Sequence, residues 1–100
     1  MEYLVNSFRE SSLSTWQISF SGTSLKEEAL MLSFIRDVKR SAIAYKGITY
    51  RHRNVKVYFL LQTRNIKLID NLRDKGYFLE MINADEINPD DPDIGELTPF

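Results

Sequence analysis

Residues 50–59, YRHRNVKVYF, gather the side chains of this chain best suited to engage charge. Arg51, His52 and Arg53 stand in a row, and Lys56 and Tyr58 follow along an alternating apolar segment. Cations beside an aromatic ring are the chemistry of nucleic-acid binding, the charges holding phosphates and the ring stacking on a base. The same letters also fit a solvated hairpin turn, because Asn54 tolerates the left-handed geometry of tight turns. Other chemistries lack their residues. There is no cysteine, which excludes disulfides, thiolate metal sites and thiol nucleophiles, and His52 is the only histidine. Glu27 and Glu28 are neighbours in sequence, so on a helix they diverge by about 100° and make a poor acid–base pair. Gly22-Thr23-Ser24 lacks the lysine and further glycines of a phosphate-cradling loop. No catalytic residue, metal ligand or cofactor motif is assigned, and the chain is read as non-enzymatic.

Charge divides the chain in two. Residues 1–82 carry all 13 lysines and arginines against 8 acids, a balance of +5, whereas residues 83–100 carry 6 acids and no base. All three prolines, Pro89, Pro92 and Pro99, fall in that second segment. An acidic, proline-broken stretch buries too little surface to order itself alone. The expected organisation is one α+β domain over 1–83 and an acidic tail over 84–100, either floppy or folded back onto the basic body. The first residues show neither a basic start nor a sustained apolar run, and no stretch approaches the length of a membrane span. A cytoplasmic location and no membrane partner are expected.

The elements that must position these side chains are legible from periodicity. Ser24 and Glu27 have capping-box spacing at the start of a helix expected over 24–45. Leu25, Met31, Leu32, Phe34, Ile35, Val38, Ala42 and Tyr45 recur at three- and four-residue intervals, marking its buried face. A second helix is expected over 64–75, with Thr63 at its start, Ile66, Ile69 and Leu72 as its seam, and Gly76 just past its end. Strands are expected at 15–21 and 55–62, where Trp16, Ile18, Phe20, Val57, Phe59 and Leu61 face one way. Shorter strands are expected at 47–51 and 77–82, and YLVNSF (3–8) reads as an additional edge strand. The order β-α-β-β-α-β implies a ferredoxin-like plan, a four-stranded antiparallel sheet with both helices on one face.

If the apolar rows face the helices, the other sheet face displays Lys56, Tyr58, Leu60, Gln62 and Phe78 to solvent. The leading expectation is a binding or regulatory module that meets a partner protein, or itself as a homodimer, through Leu60, Phe78 and Ile82. Accessory or inhibitor proteins of mobile elements are the associated class. The alternative is a nucleic-acid binder using Arg51, Arg53, Lys56 and Tyr58 with the helix cations Arg36, Lys39 and Arg40, its acidic tail modulating binding.

Overall fold

The computed structural model describes residues 2–100. The chain runs α1 (Glu2–Arg9), β1 (Thr15–Ser21), α2 (Leu25–Arg40), β2 (Lys46–His52), β3 (Lys56–Gln62), α3 (Lys67–Asp74), β4 (Glu80–Ile82), a single 3-10 turn (Ala84–Glu86) and β5 (Thr98–Pro99). It is an α+β fold with an antiparallel five-stranded sheet in the order β4-β1-β3-β2-β5. Among the described residues no helix is long and apolar enough to cross a membrane.

On one face, α2 and α3 lie over Trp16, Ile18 and Phe20 of β1 and Val57, Phe59 and Leu61 of β3. Phe59 sits at the centre of an aromatic cluster, with ring centroids 5.4 Å from Phe34, 5.8 Å from Phe20 and 5.1 Å from Phe100. The Ser24 hydroxyl caps α2 by accepting from the Glu27 N–H at 3.2 Å. The Glu27 carboxylate does not complete the box; it accepts instead from the Ser21 N–H at the end of β1. The helix stops at Arg40, short of the expected Tyr45. Ser41 donates its hydroxyl to the Val38 carbonyl and accepts from the Ile43 N–H, and Ala42 turns left-handed at φ 57. Its buried face is Met31, Phe34 and Val38 with Ile35 half-buried, while Leu25 and Leu32 point to solvent.

The opposite face is not open. The segment expected as an edge strand is the helix α1, because Val5 and Phe8 at three-residue spacing bury together, a spacing that a strand would split between its two sides. It lies across Leu60 and Ile48, held by Gln62, whose amide nitrogen donates to the Phe8 carbonyl at 3.0 Å, and by Lys46, which donates to Ser7. Beyond β4 the chain recrosses this face as a strap, burying Ile87 and Leu97 against Tyr50 and Leu60. Arg9 ties the two covers together by donating to the Ile87 carbonyl. Leu60 is therefore 0% exposed, which corrects its expected position on a solvent-facing surface.

The strap closes by turning around the sheet edge. Thr98 and Pro99 pair with Thr49 and Ile48 of β2, and Phe100 passes to the α2 side. The passage depends on Gly47, which lies within β2 as the strand expected over 47–51 implies. A Cβ there would stand 2.5 Å from the Phe100 ring. Gly47→Ala should therefore destabilise by about 1–3 kcal/mol through overpacking. In a Phe100→Ala background the penalty should largely vanish, a coupling readable by denaturant melts of the double-mutant cycle. Leu60→Ala should cost about 2–5 kcal/mol; a melt indistinguishable from wild type would show that α1 does not seal this face.

Candidate interaction surface

The sequence-selected residues fall in four separate places. Arg53 and Asn54 form the β2–β3 turn with positive φ of 55° and 57°, and both are exposed. Arg53 donates its side chain to the Asp93 carboxylate at 3.0 Å and its backbone N–H to the Asp93 carbonyl at 2.8 Å, so the strap already supplies its counter-charge. Arg51 folds back along the β1–α2 loop, its guanidinium 2.6 Å from where a Gly22 Cβ would stand. Lys56 is exposed at the start of β3.

Arg36, Lys39 and Arg40 are exposed on the last turns of α2. That helix is about 24 Å long, and its first turn is the end that lies beside Arg51 and the β2–β3 turn. The loop after α2 is held at the other end of the sheet, where the Thr63 hydroxyl donates to the Ala44 carbonyl. The structure thus splits the expected cationic set into two groups at opposite ends of α2.

Tyr58 is half-buried under the strap. Its ring stacks on Tyr50 with centroids 5.3 Å apart and planes 20° from parallel, and His52 meets it edge-on at 6.4 Å. A recess of about 280 Å³ remains between these rings and Glu86, Asn88 and Asp91 of the strap. Burial pushes the Tyr50 phenol up to about 12, with the neighbouring Tyr58 and Asp91 acting in the same direction. The recess that Tyr58 lines is thus bordered by carboxylates of the strap.

The fourth place is the β4 edge. The strand expected over 77–82 is paired only at 80–82, with Gln17 opposite Glu80 as the last pair. Tyr77 is the cause. Its ring packs edge-on against Phe34 on the helix side, and its phenol donates to Asp37 Oδ2 at 2.7 Å, within 3.0 Å of the Ser33 hydroxyl. Gly76, at φ 99, permits the reversal that brings Tyr77 there, and Arg73 holds the Leu79 carbonyl at 2.7 Å. With Tyr77 drawn inward, Phe78 turns outward and is 77% exposed. Met81 on β4 is 61% exposed and Leu30 on α2 is 41% exposed, whereas Ile82 is half-buried against the strap side.

The diverging chain leaves part of β1 uncovered. Gly22 donates its N–H toward β3, to the Val55 carbonyl at 2.6 Å, so the alternate residues Ser21, Ser19 and Gln17 aim their backbone groups the other way. Gln17 meets β4, and the Ser21 N–H meets Glu27. The N–H and C=O of Ser19 find no partner among the described residues. Between this bare edge and residues 76–78 is a notch of about 240 Å³, lined by Leu30, Phe78 and Tyr77 and by two carboxylates, Glu27 and Glu80.

The Tyr77–Asp37 bond that shapes this edge has a pH signature. The phenol hydrogen bond, aided by Lys75 at 3.4 Å, holds the Asp37 carboxyl below its ordinary 3.8 despite some burial. A depressed folded value gives stability that is present above the ordinary value and is lost as pH falls through the folded one. Tyr77→Phe should raise the Asp37 titration midpoint in carboxyl NMR and reduce the acid sensitivity of the melting temperature; an unmoved midpoint would mean the bond does not form in solution. Comparison of the chain with protein-family models, curated proteins and solved structures finds no match.

Proposed function

We propose that this chain is a small non-enzymatic protein-binding module, a ferredoxin-like β-α-β-β-α-β core over 15–82 that meets a partner protein through the rim formed by β4 and the bare end of β1. The observation that supports this reading is the unequal treatment of the two sheet edges. At one edge the chain adds its own β5, whose Pro99 lacks the N–H that another strand would need. At the other, Phe78 and Leu30 stand exposed beside the unpaired backbone of Ser19, and Met81 is exposed on β4. Exposed apolar side chains grouped at one site mark interaction surfaces more often than scattered ones do. Leu60 drops out of the interface because it is enclosed, and Met81 and Leu30 join Phe78.

Nucleic-acid binding is the lesser proposal. It would draw on Arg51, Arg53 and Lys56 without Arg36, Lys39 and Arg40, and on a Tyr58 ring roofed by acidic strap residues.

The test is a random-peptide display selection against the wild-type chain, with Phe78→Lys/Met81→Lys as the counter-target. Both positions are exposed, so the double variant should melt close to wild type. Peptides enriched on the wild type should bind the variant at least about 30-fold more weakly, the loss expected of a central interface anchor. Enrichment that is equal on both proteins would place the binding surface elsewhere.

A further inference from the structure

We infer that the notch beside Ser19 is a strand-addition site, and that its ligand is an extended peptide alternating apolar and basic residues. The inference rests on the protein-binding reading above and names the kind of partner that the site fits. The bare stretch Ile18–Ser21 is about 13 Å long and offers the Ser19 N–H, the Ser19 C=O and the Ser21 C=O, the donors and acceptors of one strand-addition register. A helix, whose backbone groups are already paired, cannot satisfy them.

Side-chain alternation fixes the rest. Trp16, opposite Met81, points to the helix side, so Gln17 and its partner Glu80 point to the other. An added strand would alternate in the same way. On the helix side its side chains would lie between Leu30 and Phe78, an apolar slot. On the other side they would stand beside Glu80; Glu27, on α2, closes the end of the helix-side slot, where its carboxylate accepts the Ser21 N–H. Neither carboxylate takes part in an ion pair among the described residues, and no cation lines the notch. Apolar residues alternating with lysine or arginine complement both sides at once.

The probe is an acetylated, amidated heptapeptide, Lys-Val-Lys-Ile-Lys-Val-Lys, titrated into the full chain with amide exchange and chemical shifts followed by NMR. Binding should slow exchange of the Ser19 amide at least about tenfold and confine shifts to 18–21, 27–30 and 76–80. Glutamate in place of the lysines, or N-methylation of the residues facing Ser19, should abolish binding. Glu80→Lys, an exposed change that leaves the core untouched, should weaken the basic peptide and admit the acidic one. Unchanged Ser19 exchange, or equal binding of the N-methylated peptide, would overturn strand addition. Equal binding of the acidic peptide would overturn the charge assignment. A mass of twice the chain by light scattering, with Ser19 protected before any peptide is added, would overturn the peptide and assign the edge to a second copy. Should the display selection yield Phe78-dependent ligands that leave Ser19 unprotected, this inference fails while the protein-binding reading stands. A selection that yields none removes both.

Discussion

The central constraint is that β3 is buried on both sides. Val57, Phe59 and Leu61 bury toward α2 and α3, while Leu60 and Gln62 bury on the reverse. A strand of that kind is stable only inside a three-layer arrangement, since each uncovered apolar side chain forfeits about 1.5–3 kcal/mol of burial. Two helices satisfy one side. The reverse is covered by α1 from before the core and by residues 84–97 from after it. The helical state of α1, the path of the strap and the addition of β5 are all answers to this single demand.

The elements with strong periodicity were legible in the sequence. Met31, Phe34, Ile35 and Val38 of α2, the Trp16-Ile18-Phe20 row and the Gly76 stop all depend on local spacing, which a sequence displays, whereas Leu25 and Leu32 share that spacing and face solvent. The second cover was legible only as one alternative for the acidic segment, folded back on the body by charge; its apolar attachment and its sharing with α1 were not, for a physical reason. Val5, Phe8, Ile87 and Leu97 are four apolar residues spread across some 90 positions, and no window contains enough of them to reveal a shared core. Polar neighbours conceal them further: Ile87 and Leu97 each sit among acids, so composition describes the segment as solvated while its few apolar residues decide where it goes. The Phe78 edge was half legible. The residue was selected, but as part of a sheet face; its actual exposure follows from Tyr77 choosing Asp37 and Ser33 over the ladder, a tertiary preference with no local signature.

Charge division plays a smaller part than its size suggests. Six acids on the strap lie near a basic body, yet among the described residues one ion pair joins them, Arg53 to Asp93, and both side chains are well exposed. Exposed pairs of this kind contribute about 0–1 kcal/mol. The attachment is carried by Ile87, Leu97 and Phe100, and the charges act on the outer surface, where they surround the Tyr50–Tyr58 stack with carboxylates.

The strap also bears on how the chain comes into being. Synthesis proceeds from the amino end, so β2 and β3 are complete some 25 residues before Ile87 emerges and 35 before Leu97. During that interval the surface around Tyr50 and Leu60 has only α1 to shelter it, the situation in which nascent chains associate wrongly. The acidity of the late segment has a use here. A strap rich in aspartate and glutamate resists sticking to its neighbours while it is still unattached, and it arrives at its own sheet through a handful of apolar contacts that only the finished sheet can offer.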